Sequence, residues 1–324
     1  MASTPMISVY EDILAGSIVS LICAVGNFMM TLVIIGSSRI PSMKSSFGML
    51  TINQNLAEMI PCTTCFIIFF FGYTLNWKTV IDNSYLIGAS AIITVHIILI
   101  SFLLISLNRL CAILFPISFN VIFKGKFLAA LFCANWWIPL SISTFILVFR
   151  MFLHTKHFSI IGGVLGQCRF VIVHEGWFFD ESKNEICGSL LEIYRGFQTP
   201  LALITTVVDL SALLLLVILR NRIFKSKSAE TRRREMNFAR QVIVQGFVFT
   251  IHAFWYQGGR NLMPTSMPEN WKIFWTTSFS SNLLHIFDPM IVFICNMEFR
   301  TWMFGVRGKT ETKRITTIGS TSMN

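Results

Sequence analysis

A chain of 324 residues with 54% hydrophobic residues, 31 Phe and only 13% charged residues lies far from soluble composition, in which about a quarter of residues are charged. Its mean hydropathy of +0.65 marks a polytopic membrane protein. The net charge of +10 falls in the segments between apolar runs, which speaks for membrane topology and against nucleic-acid binding.

Residues 1–12 carry no Lys or Arg and end in Glu11 and Asp12, so this short extracellular tail is easily translocated. The first apolar run, 13–35, is too long for a signal peptide and lacks a basic leader and a small-residue cleavage site, so it reads as a signal anchor. Arg39, Pro41 and Lys44 make a turn, and a second span covers 47–71. A third, 84–107, stops on Asn108-Arg109 and breaks at Pro116. The fourth span is 127–149. Residues 150–196 form the longest polar region and contain Cys168 and Cys187. A fifth span, 197–219, leads into a basic run from Arg220 to Arg240. The sixth, 241–259, can begin earlier as a helix, because 235–240 contains no breaker, and Gly258-Gly259 is expected to end it. The seventh, 274–295, precedes a short amphipathic helix ending near Val306, and the Thr, Ser and Lys/Arg-rich tail 308–324 is expected to be disordered and cytoplasmic.

The expectation is therefore an all-α seven-helix bundle over 13–307. Seven spans put the termini on opposite sides. With the N-terminus outside, 18 of the 26 Lys and Arg lie on the inner side, as the positive-inside rule requires. There is no phosphate-binding glycine loop, no GxSxG and no HExxH, which argues against an enzyme. No Lys lies between Lys272 and Lys309, so a retinal Schiff base is excluded. A ligand-gated seven-helix channel is the alternative from another class, but such channels place the N-terminus inside.

A charge at mid-bilayer costs about 2.5–3.5 kcal/mol on insertion scales, so the three acids within spans, Glu58, Asp209 and Asp288, need partners. Two carboxyls brought together in low dielectric cannot both ionise cheaply, so a shared proton or a counter-ion is expected.

The motifs converge on one family. Ser106-Leu107-Asn108-Arg109-Leu110-Cys111-Ala112-Ile113-Leu114-Phe115-Pro116 resembles the Asp/Glu-Arg-Tyr segment of rhodopsin-like receptors, with Asn and Leu as departures. Gly26-Asn27, Asn53 through Glu58, and Asp288-Pro289 resemble the polar sites of their first, second and seventh helices. The whole chain is most similar to the nematode chemosensory serpentine receptors of class x (Srx). That resemblance implies a G-protein-coupled chemoreceptor in sensory-neuron cilia, with a small odorant or water-soluble ligand, a heterotrimeric G protein and the lipid bilayer as partners; a neuropeptide-type receptor is the alternative. It implies that Arg109 holds the inner ends of the third and sixth helices together, with Glu235 as acidic partner, until agonist releases it. It also implies that Asn27, Glu58 and Asp288 meet in the core around a shared proton or a sodium ion; no other cofactor is expected.

The family's Cys pair brackets a segment resembling Cys168-Arg-Phe through Trp177-Phe-Phe-Asp-Glu-Ser to Cys187. A disulfide there would close a loop of about 20 residues, worth roughly 3 kcal/mol; two free thiols are the alternative. Cys62 and Cys65 form a CxxC that reads as small packing residues within a membrane helix. His96, Asp209, Trp255 and His285 are candidates for the ligand cavity, with packing or interfacial roles as the alternative for each. Metal binding is not expected.

Overall fold

The computed structural model describes residues 8–115, 118–119, 123, 125–154, 170–173, 177–181, 185–223 and 229–305. The helices are α1 (Val9–Arg39), α2 (Ser46–Ile67, continuing as π-helical turns over Ile68–Thr74), α3 (Ser84–Leu114), α4 (Gly125–His154), α5 (Glu185–Ile223) and α6 (Ala229–Leu262). Then come α7 (Glu269–Cys295, with π-helical turns at Trp275–Phe279) and α8 (Met297–Phe304). The shortest of the first seven has 27 residues, about 40 Å at 1.5 Å per residue, against a hydrocarbon core of about 30 Å. Among the described residues, α1, α2, α7 and the 93–114 part of α3 are apolar enough to span on composition alone.

Three of the helices carry a side-chain cap at the N-terminus. Ser8 caps α1 reciprocally with Glu11: Glu11 N–H donates to Ser8 Oγ at 3.3 Å, and Ser8 N–H donates to Glu11 Oε2 at 3.0 Å. Ser45 caps α2 through the Gly48 N–H. Asn296 caps α8 through the Phe299 N–H at 3.2 Å, and Gly305 closes it at φ +60°.

Several boundaries differ from the sequence expectation. α3 runs past Arg109 to Leu114, since nothing before Pro116 breaks it. α5 starts at Glu185, well inside the polar region, because residues 185–196 contain no proline. Gly258-Gly259 does not end α6, which continues to Leu262; a glycine pair weakens a helix without forbidding it. The early start of α6 is seen, at Ala229.

The helices close into a ring: α1 packs on α2 and α7, α3 on α2, α4 and α5, and α6 on α5 and α7. The lipid-facing side carries Leu21, Phe28, Val207, Leu214, Phe247 and Phe254, all exposed. α8 folds back under α1, burying Phe299 beside Val33, Ile40 and Met43. At that contact a Cβ on Gly36 would lie 2.6 Å from the Phe299 ring.

On the outer side, strands β1 (Phe170–Val173) and β2 (Phe178–Glu181) pair antiparallel, Val173 opposite Phe178. Trp177, between them, is completely buried.

α2 meets the preceding turn so closely that a Cβ on Gly48 would lie 2.3–2.5 Å from Met43 backbone atoms. Backbone cannot move aside as a side-chain tip can. Gly48→Ala should therefore lower stability by about 1–3 kcal/mol in thermal unfolding of the purified protein, whereas an unchanged midpoint would mean that the turn adapts freely.

Candidate functional site

The polar side chains of the bundle interior form three groups, each tying helices together. The first joins α2, α3 and α4. Asn135 Nδ2 donates to Ser101 Oγ at 2.8 Å and Asn53 Nδ2 to the same oxygen at 3.4 Å, while Trp136 Nε1 donates to Asn53 Oδ1 at 2.8 Å. Ser101, Asn53 and Asn135 are buried, so the two bonds to Ser101 are made away from water.

The second group joins α2 and α7. Gln54 Nε2 donates to Glu58 Oε1 at 2.8 Å and to Asp288 Oδ2 at 2.6 Å. Gln54 and Glu58 are one helical turn apart on α2 and so share a face. All three residues are buried, and Pro289 is buried beside them. The two carboxyls lie within hydrogen-bonding range of each other, and Gln245 of α6 also reaches Asp288. A direct contact between carboxyls needs a proton on one of them. The Gln54 amide N–H lies between the two carboxyls, while Gln54 Oε1 and Glu58 Oε2 are buried with no protein partner.

Asn27 does not join this group, contrary to expectation. Its Oδ1 accepts from Thr63 Oγ1 at 3.2 Å, on a half-exposed flank of α1, because Gly26 and not Asn27 faces Cys62 and α7.

The third group lies one to two turns further out. Cys23 Sγ donates to Asn282 Oδ1 at 3.1 Å, and Cys62 Sγ to the Cys23 carbonyl at 3.3 Å. Asn282 Nδ2 donates to the Ser278 carbonyl at 2.7 Å. Cys62 and Cys65 are thus buried at a helix contact, as packing residues.

At the inner end of α3 the structure docks the motif on α2. Asn108 Nδ2 donates to Ser46 Oγ at 3.1 Å, and the Arg109 guanidinium carbon sits 3.4 Å from the Phe47 ring centre. Glu235 lies on α6, but its side chain is outside the described residues. Cys168 lies outside them too, as does the side chain of Cys187.

The four cavity candidates do not converge on one point. Asp209 projects from α5 against Gly246 of α6, where an added Cβ would lie 2.9 Å from Oδ2. It also reaches Ser106, one turn outward of Arg109. That level is the inner half of the bundle. Trp255 Nε1 donates to the Trp275 carbonyl at 3.1 Å and joins α6 to α7. His285 is half-buried on α7 near His252 of α6; His285 Nδ1 and His252 Nε2 are buried with no protein partner. His96 is half-buried on α3.

Seven membrane-length helices, an interior laced by polar bridges and an Asn-Arg pair at the inner end of the third helix define a seven-helix membrane receptor. The family model for the serpentine type 7TM GPCR chemoreceptor Srx matches residues 19–296. The chain belongs to that family. It is 40% identical to the Caenorhabditis elegans serpentine receptor class X-43 over 96% of this chain and 92% of that protein. It is also 25% identical to the serpentine receptor class X 45 of the same organism, over 61% of this chain and 55% of that one. The protein is therefore a multi-pass membrane receptor and not an enzyme.

Gln54, Gln245, Asn282 and Ser101 were missed by sequence reasoning. For Gln54 a signal existed, since an amide one turn from a carboxylate on an apolar helix is placed to share its partner.

Two substitutions separate bridge from charge. Trp136→Phe keeps the ring and removes the donor to Asn53, so it should lower stability by about 0.6–2 kcal/mol. Glu58→Gln replaces one of two crowded carboxyls by an amide and should unfold at or above the wild-type temperature, equally in sodium and choline buffers. A wild-type midpoint that rises with sodium, and a Glu58→Gln midpoint that does not, would instead place a cation between the two groups.

Proposed function

We propose that this protein is a G-protein-coupled chemoreceptor that takes a small ligand from the extracellular side and activates a heterotrimeric G protein, in the cilia of sensory neurons. The observation that carries the reading is the docking of Asn108-Arg109 on α2 in a member of a chemoreceptor family. A guanidinium stacked on an aromatic face is worth about 0.5–2 kcal/mol. That is enough to bias a two-state equilibrium by up to more than tenfold and weak enough to be released by a partner.

In this reading the docked pair is the resting state. Ligand bound among α3, α5, α6 and α7 favours an outward swing of the inner end of α6, and the basic stretch around Arg232, Arg233, Arg234 and Arg240 meets the G protein. Glu235, on the inner stretch of α6, is the acidic partner of Arg109 in this reading. The Cys168–Cys187 loop covers the ligand on the outer side. Small outer segments fit a small ligand. A switch from 1% to 99% active requires about 5.5 kcal/mol of differential binding, so a weak odorant would give partial activation unless bound G protein contributes.

The test is G-protein activation in a heterologous cell with surface expression matched. Arg109→Ala should abolish the ligand-evoked response. Phe47→Leu, which removes the ring beneath the guanidinium and keeps an apolar side chain against Leu50 and Ile105, should raise basal activity severalfold, up to about tenfold for a loss near 1.4 kcal/mol. A current that persists without G protein, or an Arg109→Ala receptor that still responds fully, would contradict the reading.

A further inference from the structure

β1 packs against α3 and β2 against α5, and Trp177 joins the outer hairpin to α1 and α7. Trp177 is completely buried although it lies at the turn between two short strands on the outer side. Its indole N–H donates to Asp12 Oδ1 of α1 at 2.7 Å. Its carbonyl accepts from Ser278 Oγ of α7. Its ring packs against Trp271 and Phe274 of α7, with centroids 5.0 and 5.7 Å away. Trp271 in turn donates to Glu11 Oε1 at 3.0 Å, so each of the two acids at the start of α1 holds an indole.

Two features show that the recess is built around this side chain. Both helices that carry the aromatic wall are widened there by π-helical turns, Ile68–Thr74 in α2 and Trp275–Phe279 in α7. Such turns interrupt a helix at a cost and cluster where a function requires them. The backbone of Trp177 sits at φ +49°, a left-handed conformation that disfavours a bulky residue and persists only where surrounding contacts over-determine it. The contacts just named do so.

From this seat a single face of α7 leads inward. Ser278, Asn282, His285 and Asp288 follow one another at spacings of four, three and three residues, which places them on one side of the helix. Ser278 holds Trp177, and Asn282 Nδ2 donates to the Ser278 carbonyl while its Oδ1 accepts from Cys23. Asp288 accepts from Gln54. The face that carries the hairpin's anchor thus also carries the bridge to α2.

We propose that the outer hairpin is a tethered plug: Trp177, seated between α1 and α7, holds α7 in register with α1 and α2, and withdrawal of the indole lets α7 part from them. Trp177 acts through α7 and is a positioning residue. The inference deepens the receptor reading, on which the meaning of the withdrawal as an activating step rests. The plug itself is a property of the fold and can be tested without any G protein.

The test uses the purified full-length protein in nanodiscs and the rate at which N-ethylmaleimide labels individual cysteines, read by mass spectrometry. Cys23 is completely buried at the α1–α7 contact, whereas Cys133 is exposed on α4 and serves as the internal control. Trp177→Gly removes the plug and suits φ +49°, so the variant relieves backbone strain and should fold. Asp12→Ala is the gentler variant and removes the acceptor of the indole N–H. Labelling of Cys23 should quicken at least about tenfold in Trp177→Gly, as expected when contacts favouring the seated state by tenfold or more are lost. Asp12→Ala should fall between it and wild type, and Cys133 should not change. Equal acceleration of Cys23 and Cys133 would mean general loosening and would overturn the proposal, as would an unchanged Cys23 in folded Trp177→Gly protein. Basal G-protein activation of the same variants, measured separately in cells, separates the two levels. A quickened Cys23 without raised activity keeps the plug and removes its activating meaning.

Discussion

The constraint on which this structure depends is that helices in lipid gain nothing from hiding apolar side chains, because the lipid tails are as apolar as the helices. What draws them together is close packing and the need of each intramembrane polar group for a partner. Here that need is concentrated where Gln54 donates to Glu58 on its own helix and to Asp288 across the bundle. Without the amide, two buried carboxyls would face each other with nothing but a proton between them. With it, α2 and α7 are held in one register. The bridges through Ser101 and Asn282 then fix α3, α4 and α1 against that pair.

These bridges stand at successive depths. The hairpin's tryptophan is at the outer end, the thiol and amide contacts lie below it, then the carboxyl pair, and Arg109 over Phe47 is at the inner end. Each is worth little alone; hydrogen bonds between membrane helices average about 0.6 kcal/mol. A receptor held by several weak, spatially separate bonds is suited to moving between states that differ by a few kcal/mol. A core closed by one strong contact would not be.

How much of this was legible in the sequence differed by physical cause. Apolar run length and the placement of Lys and Arg defined seven spans and their orientation, because both respond to bilayer thickness and charge and to little else. Glu58 and Asp288 stood out because a carboxyl in hydrocarbon is costly wherever it points. Their meeting was expected; the Gln54 between them was not, since an uncharged amide carries no such alarm. Asn27 failed for a matter of angle: one residue along a helix turns a side chain by about 100°, enough to move it from the core to Thr63. Asp209 was found, but its depth against Gly246 depends on how α5 and α6 cross, which no local pattern records. In the sequence Trp177 reads only as part of a loop, because a buried position in an outer loop arises from contacts with Asp12 and Ser278, distant in sequence.

The most direct measurement is a double-mutant cycle between Gln54 and Asp288, from thermal unfolding of wild type, Gln54→Leu, Asp288→Asn and the double variant under one set of conditions. If the bridge couples α2 to α7, the two effects should be non-additive by about 1 kcal/mol or more. Additivity within about 0.3–0.5 kcal/mol would mean that each side chain serves only its own helix. The α2–α7 contact would then have to be held by packing alone.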